Sequence, residues 1–170
     1  MVESNSKHIL SIMVDNEPGV LARVVGLFSG RGYNIESLSV SEVDSDKFLS
    51  RVTIVTSGTK IIIDQIKAQL NKLIPVHKLI DISELETFIG KELILIKLNV
   101  KKDSVSKFYD FIKKNGAEIL YQNNTEIIIQ FSGSPTEIST MIKKLRSYNI
   151  IELTRSGLVS MALGEEYIKK

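Results

Sequence analysis

A short run near the N-terminus, Asp15-Asn16-Glu17-Pro18-Gly19-Val20-Leu21, has the composition of a small anion-binding turn. Apolar and β-branched residues over 8–14 predict a buried strand before this run, and apolar residues at helical spacing follow it. Pro18 suits the first turn of a helix, and Gly19 lets the backbone come close to another group. The N–H groups at such a helix start lack internal acceptors and can bind a carboxylate. An ordinary strand-to-helix turn is the alternative interpretation of this run taken alone.

A free α-amino acid is the ligand that this turn suits best. Its carboxylate would accept the N–H groups of Gly19, Val20 and Leu21, helped by the positive end of the helix dipole. Its ammonium needs an acceptor, and Asn16 offers a side-chain carbonyl at the mouth of the turn. A small apolar side chain would suit neighbours such as Leu21 and Ile35. Asn16 is equally suited to cap the helix as an Asx residue, and the sequence leaves both roles open.

The elements that must position this turn form a ferredoxin-like domain. Gly32 is placed to end the first helix in a left-handed conformation. The resulting element order is βαββαβ, the split β-α-β arrangement. The hydrophobic patterns predict a strand at 8–15, a helix at 18–30, a hairpin over 34–56, a helix that ends before Pro75 and a strand at 76–82.

The second half of the chain repeats the same order. Ile9 to Leu93 and Leu21 to Val105 are both separated by 84 residues. The run 134–137 combines an N-cap serine, a first-turn proline and the glutamate of a capping box. The second strand-to-helix turn contains neither proline nor glycine, so only the first copy offers open backbone to an anion. The sequence therefore predicts an α+β protein with two consecutive ferredoxin-like βαββαβ domains.

Domain boundaries follow from the breaks in this pattern. The effector-binding domain is predicted at 8–83 and the C-terminal ferredoxin-like domain at 91–164, with a last short strand at 158–163. We expect a linker at 84–90 between the two domains. We also expect a flexible N-terminus at 1–7 and a polar tail at 165–170.

Composition argues against several classes of protein. The net charge is +2, from 22 basic and 20 acidic residues spread along the chain, so the concentrated basic face that nucleic acid requires is missing. The chain has no cysteine, hence no thiol nucleophile or thiolate zinc site. No apolar run approaches the roughly 20 residues of a membrane span, and we expect a cytoplasmic protein. His8 and His77 have no companion at metal-ligand spacing, so no metal site is expected.

Outside the turn, few residues suggest chemistry. The sequence contains no GxSxG, Walker, GxGxxG or HExxH motif. Asp44 and Asp46 lie at a predicted hairpin tip, where solvated turn residues are usual. Arg51 alternates with apolar strand residues, which places it on the exposed sheet face or at a subunit seam. We expect no catalytic residue. A small enzyme on a ferredoxin-like scaffold is the competing hypothesis, and turnover by the isolated chain would support it.

Five stretches resemble a known family. Asn16–Val24 and the continuous segment Gly26–Leu38 are similar to the N-terminal ACT domain of the small, regulatory subunits of acetolactate synthase (acetohydroxyacid synthase). Leu49–Ile54 continues the resemblance through the hairpin. Lys91–Lys97 and Arg155–Val159 resemble the C-terminal domain of the same family. The resemblance is dense over about residues 9–56.

This resemblance implies a chain without catalysis or cofactors of its own. Such a chain binds the large subunit, which carries thiamine diphosphate, FAD and magnesium, raises its activity and makes it sensitive to valine or another branched-chain amino acid. It also implies a homodimer through the ACT domains, with the effector at the seam between two copies. One copy would contribute Asn16, Glu17, Pro18, Gly19, Val20 and Leu21, and the other Tyr33, Asn34 and Ile35. A stand-alone ACT-type sensor that controls a different enzyme or regulator is the alternative.

Overall fold

The computed structural model describes residues 5–100, 105–164 and 168. These residues form two compact units: one comprises the chain up to Ile89 together with residues from Leu158 onward, and the other runs from Gly90 to Gly157. The predicted second turn at 101–104 lies outside the described residues, as do 1–4 of the predicted N-terminus and 165–167 and 169–170 of the predicted tail. Within the described residues, no helix has the length and apolar character needed to cross a membrane.

The first unit contains a four-stranded antiparallel sheet and two helices. Its strand order is β2-β3-β1-β4, so β2 and β4 are the edges. The elements are β1 (Ser6–Asp15), α1 (Val20–Ser29), β2 (Ser37–Asp44), β3 (Leu49–Gly58), α2 (Lys60–Leu70) and β4 (Val76–Asp81), followed by a 3₁₀ turn at Ile82–Glu84.

The second unit repeats this plan. Its strand order is β6-β7-β5-β8, which is the order of the first sheet transferred to the second set of strands. The predicted capping box is confirmed at the start of α4, where Ser134 and Glu137 bond reciprocally to backbone N–H groups. The elements are β5 (Phe88–Asn99, in this unit from Gly90 onward), α3 (Val105–Lys114), β6 (Glu118–Gln122), β7 (Glu126–Gly133), α4 (Pro135–Leu145) and β8 (Asn149–Arg155).

Strand periodicity sorts the residues of the first sheet onto two faces. Alternate residues of β1 and β3, such as Leu10 and Ile54, are fully buried against the helices. The intervening residues face the other side, where Ile9 and Val55 are also buried. The core between sheet and helices is formed by Leu10, Ile12, Val14, Val20, Val24, Leu27, Phe28, Val52, Ile54, Ile63, Ile66 and Leu70.

The starts of α1 and β5 differ from the prediction, because a glycine conformation sets the first and pairing with distant strands sets the second. Helix α1 begins at Val20 rather than at 18, because Gly19 adopts φ +85°, outside the helical region. Strand β5 begins at Phe88, inside the predicted linker.

The segment from Leu158 onward belongs to the first unit. It contains β9 (Val159–Ala162), and Leu158 is buried against Ile9, Val55 and Ile82. The Leu158 carbonyl accepts a hydrogen bond of 2.7 Å from Ser39 Oγ. The C-terminal domain predicted at 91–164 includes this segment, because periodicity cannot indicate which sheet a distant strand covers.

Candidate functional site

The predicted effector residues Asn16–Gly19 connect β1 to α1. Backbone bonds fix the base of this turn: Asp15 N donates to Pro75 O (3.0 Å), and Asn16 N donates to Phe48 O (2.6 Å). All four residues of the turn are exposed. The turn is therefore held firmly at its base and open to solvent at its tip.

Gly19 immediately precedes helix α1 in a left-handed conformation, with φ +85°. This conformation costs other L-residues about 1–2 kcal/mol. A Cβ built at this position would meet no atom within 4 Å. Glycine is therefore required by the backbone angle, while no described residue occupies the space beside it.

The first turn of α1 has unused N–H donors. No side chain caps this helix, and its first turn contains no acidic residue. Val20 N donates to Glu17 O at 3.3 Å. Among the described residues, the N–H groups of Gly19, Leu21 and Ala22 have no acceptor. The Val20 N–H therefore closes the turn, so the open donors around Gly19, Val20 and Leu21 are those of Gly19, Leu21 and Ala22, and their role in binding stays a prediction.

Asn16 does not cap α1, so one of the two roles left open for it is excluded. Its amide Nδ2 donates to the carboxylate of Glu42, near the end of β2. This bond leaves the side-chain carbonyl of Asn16 as a free acceptor beside a carboxylate. The local negative character suits a cationic group.

The second predicted group, Tyr33–Ile35, lies between α1 and β2. Gly32 precedes it with φ +68°, and N–H groups of residues 32 and 33 bond back to the last turn of α1, as predicted for a left-handed helix end. The main-chain carbonyl of Asn34 accepts a hydrogen bond of 2.7 Å from Thr56 Oγ1, while its side chain is exposed. Tyr33 and Ile35 pack against the core. Only Asn34 is therefore free to contact a ligand through its whole side chain.

The two predicted groups lie at opposite ends of the first sheet. Asp15, next to the turn, pairs with Leu49 at the start of β3. Glu36, next to Asn34, donates its N–H to Val55 O near the end of β3 (2.8 Å). Six residues of an extended strand span roughly 20 Å. A single chain therefore does not bring the two groups together.

Charged groups at both ends of the sheet are paired. His77 Nε2 lies 2.5 Å from Asp15 Oδ1 at the turn end. At the other end, Lys7 Nζ lies 2.7 Å from Glu36 Oε2. Hydrogen bonds from Lys7 and Ser57 hold the pKa of Glu36 below its usual value. The carboxylate nearest to Asn34 is therefore ionised and already has a cationic partner.

Arg51 is half-buried, so of its two predicted positions the exposed sheet face is wrong and the subunit seam stays a prediction. Its Nε donates to Ser11 Oγ (2.8 Å) and its Nη2 to the main-chain carbonyl of Ser160 (2.8 Å). The side chain lies on the predicted face of the sheet, but β9 covers it there.

His8, Asp81 and Glu84 offer potential metal-ligand atoms within 4.8 Å of one another. His8 Nδ1 lies 2.7 Å from Asp81 Oδ2. Lys67 Nζ lies 2.9 Å from Glu84 Oε1 and 4.0 Å from Asp81 Oδ2. Although burial opposes it, the charges of Glu84, Asp81 and Asp64 raise the pKa of Lys67. An ammonium thus supplies the positive charge of this cluster, which is an ion-pair network.

Sequence reasoning missed Ala22 and Glu42. Ala22 was detectable, because the third N–H of a helix also lacks an internal acceptor. Glu42 gave no signal, since it reaches Asn16 across 26 residues through the pairing of β2 in the sheet.

Two family models match the chain. The model described as an AHAS small subunit-like ACT domain matches residues 10–78, and the model described as the small subunit of acetolactate synthase matches residues 91–164. The chain belongs to the acetolactate synthase small-subunit family. Its first unit carries the ACT domain, and the turn at Gly19 lies within that domain.

Relatives of this family match over nearly the whole chain. The acetolactate synthase small subunit of Buchnera aphidicola subsp. Baizongia pistaciae is 44% identical over 157 residues, covering 91% of this chain and 98% of that protein. The small subunit of Haemophilus influenzae is 37% identical over 166 residues, covering 95% and 99%. The crystal structure of the Thermotoga maritima small subunit matches with a TM-score of 0.86 at 30% identity, covering 95% and 99%. The predicted fold of two consecutive ferredoxin-like domains is confirmed.

Proposed function

We propose that this chain is the regulatory subunit of acetolactate synthase, which binds the catalytic large subunit, raises its activity and makes it sensitive to valine. The observation that carries the proposal is the bare start of α1, where Gly19 is left-handed and three N–H groups lack acceptors in the described part of the chain. The chain has no catalytic role in this proposal. Thiamine diphosphate, FAD and magnesium belong to the large subunit.

The start of α1 suits the carboxylate of the effector. The N–H groups of Gly19, Leu21 and Ala22 are the donors, and the positive end of the helix dipole adds to the attraction. The open space beside Gly19 lets a carboxylate approach the backbone. A bound valine would therefore cap the helix that the chain itself leaves uncapped.

Asn16 and Leu21 suit the other two parts of the ligand. The free carbonyl of Asn16, beside the carboxylate of Glu42, is an acceptor for the α-ammonium. Leu21 is 41% exposed and offers apolar surface to a small aliphatic side chain. Valine, leucine and isoleucine share these three parts, so affinity among them depends on the shape of the apolar contact.

A second copy would complete this site. Strand β2 pairs with β3 along one side and forms an edge of the described sheet, with Val40 and Val43 exposed. Antiparallel pairing of β2 with its copy would set the end of one β2 beside the beginning of the other. The turn at Asn16 would then face Tyr33–Ile35 of the second copy. This arrangement accounts for the separation of the two groups within one chain.

Regulation would follow from this shared site. Valine that contacts both copies favours the dimer arrangement in which they meet, and the bound large subunit responds to that arrangement. The shift in activity is limited by the difference in valine affinity between the two arrangements.

The test compares Gly19→Asp with Gly19→Asn in the complex with the large subunit. The two side chains have similar size and both tolerate a left-handed backbone, but only aspartate opposes the carboxylate of valine. Like charges in contact cost several kcal/mol, so we expect Gly19→Asp to raise the inhibitory valine concentration by about 100-fold. Gly19→Asn should change it by only a few fold, and both variants should still activate the large subunit.

If the Gly19→Asp complex were inhibited by the same valine concentration as the wild-type complex, the proposed location of the valine site would be wrong. A large subunit whose activity is the same with and without the wild-type chain would instead overturn the regulatory role and favour the stand-alone sensor.

Mixed dimers test whether the site is shared between copies. Gly19→Asp and Asn34→Ala homodimers should both bind valine weakly. A mixed dimer of these two variants contains one turn and one Asn34 that are both intact and face each other, so one valine should bind per mixed dimer. Calorimetry on the mixture measures this stoichiometry. Mixing without recovery of binding would show that the two groups act within one chain.

A further inference from the structure

A cavity of about 100 Å³ lies beside Arg51 on the face of the first sheet that is opposite to α1 and α2. We call it the Arg51 cavity. Its lining combines one cation with five apolar side chains and contains no acidic side chain among the described residues. The lining residues are Arg51, Ile80, Ile82, Met161, Ala162 and Ile168.

The charge of Arg51 has no carboxylate partner among the described residues. Of the five N–H donors of a guanidinium, one at Nε bonds to Ser11 Oγ and one at Nη2 bonds to the carbonyl of Ser160, which leaves three. Burial lowers the pKa of Arg51, because desolvation disfavours the charged form. A partly buried cation is normally paired. An anion at Arg51 would provide that pairing.

Ser160 adds a second unsatisfied polar group next to Arg51. Its carbonyl accepts from the guanidinium, but its buried Oγ has no hydrogen-bond partner among the described residues. Buried hydroxyl groups are rarely left without a partner. Ser160 does not itself line the cavity, so the free donors of Arg51 carry the argument for an anion there.

The size and lining of the cavity restrict its ligand. Drug-sized ligands occupy pockets of about 300–1,000 Å³, whereas an apolar cavity of about 150 Å³ accommodates benzene. About six non-hydrogen atoms is therefore the limit here. Among the described lining residues none is acidic, which disfavours an α-amino acid, whose ammonium would find no carboxylate partner there.

We infer that the Arg51 cavity binds a short aliphatic monocarboxylate of about four carbons. Its carboxylate pairs with the guanidinium of Arg51, and its alkyl chain contacts Ile80, Ile82 and Met161. This site is independent of the turn at Gly19, which suits a zwitterion.

The experiment follows butyrate binding to the full chain by NMR of ¹³C-methyl methionine. Met161 lines the cavity, whereas Met141 lies in the core of the second unit and serves as the internal reference. We expect saturable shifts of Met161, and of Met13 as the cross-strand neighbour of Arg51, but none of Met141. The expected dissociation constant is about 1 mM, a range that six heavy atoms can reach. Butyramide, which has the same shape without the charge, and sodium chloride at matched ionic strength should leave Met161 unchanged.

Variants then assign the binding to Arg51. Arg51→Gln should weaken butyrate binding about 100-fold. Arg51→Lys keeps the charge but lacks the planar guanidinium, and it should weaken binding about 10-fold. Arg146→Gln, on an exposed residue of the second unit, is the matched control and should bind normally. Since Arg51 also holds β9, Ala162→Leu provides a second variant, in which a larger side chain fills the cavity without changing the charge.

Three results would overturn the inference. The first is the absence of a saturable Met161 shift up to about 50 mM butyrate, a concentration far above the expected dissociation constant. The second is a Met161 shift with butyramide equal to that with butyrate. The third is normal butyrate binding by both Arg51→Gln and Ala162→Leu. Gly19→Asp should bind butyrate normally, so failure of the valine site and failure of this cavity give different results.

Discussion

Helices α1 and α4 have similar lengths, ten and eleven residues, but their first turns are completed in opposite ways. Helix α4 follows Ser134, whose side chain accepts from Glu137 N while the Glu137 carboxylate accepts from Ser134 N. Helix α1 follows a left-handed glycine and has neither a capping side chain nor an acidic first turn. The chain therefore satisfies its own N–H groups at α4 and leaves them unsatisfied at α1.

This contrast separates a helix start that the chain completes itself from one that we propose a ligand completes. An uncapped start by itself is not sufficient, because α2 also begins without a side-chain cap, at Thr59 in an extended conformation. What distinguishes α1 is the combination of free N–H groups with a left-handed Gly19 and open space beside it. Capping typically contributes about 1 kcal/mol, so leaving α1 bare sacrifices stability that a ligand can restore.

The largest expected effect is a change in amide exchange at α1. Valine at 100 times its dissociation constant should slow exchange of the Leu21 and Ala22 amides by up to about 100-fold, because exchange then requires release of the ligand. The Glu137 amide, which already bonds to Ser134, should not change. Hydrogen exchange followed by NMR with and without valine measures all three amides. An equal slowing of amide exchange at α1 and α4 would indicate that valine stabilises the whole fold. It would contradict a specific role for the start of α1.

A pair of glycines should separate backbone strain from binding. Gly19 and Gly116 both have positive φ, and a Cβ at either position meets no atom within 4 Å. Alanine should therefore destabilise its own unit by about 1–2 kcal/mol at each position through strain alone. Thermal unfolding and valine calorimetry should show that Gly19→Ala weakens valine binding and that Gly116→Ala does not. Weakened binding in both variants would attribute the effect to stability.

Loss of the cap at α4 should have a smaller effect. Ser134→Ala removes the acceptor of Glu137 N and should cost about 1 kcal/mol, or a decrease of about 4 °C in the midpoint of the second unit. Thr140→Ala, an exposed change on the same helix, is the control and should lie within about 0.5 kcal/mol of wild type. Valine affinity should be unchanged in both. A weaker response to valine in Ser134→Ala would mean that the capped helix also takes part in binding.

The smallest effect concerns pH. Backbone and side-chain hydrogen bonds from Ser134, and the charge of Lys91, hold the pKa of Glu137 below its usual value of 4.5. A carboxylate with a lowered pKa stabilises the fold above its unfolded pKa and loses that contribution as the pH falls through the folded pKa. The difference in thermal midpoint between wild type and Glu137→Gln should therefore be constant near neutral pH and shrink below about pH 4.5. A constant difference across that range would contradict the assignment.

Local patterns predicted the elements and half of the candidate site. The capping box at Ser134, the left-handed Gly32 and the strand–turn–helix around Gly19 depend on residues close in sequence, so type and spacing were sufficient. The same patterns gave the repeat of two ferredoxin-like domains. The detailed donor set was less predictable, because the use of the Val20 N–H depends on how the turn closes.

Only the tertiary structure decided what lies beside these local features. Glu42 reaches Asn16 through the register of β2, and the carbonyl of Ser160 reaches Arg51 across 109 residues. Sheet pairing also placed Asn16 and Asn34 at opposite ends of β3, although both belong to one predicted site. Backbone conformation is set mainly by near neighbours, whereas contacts between strands depend on register and on which face a distant segment covers. The sequence therefore determined the bare helix start, and the fold determined that the two predicted groups lie at opposite ends of the sheet within one chain.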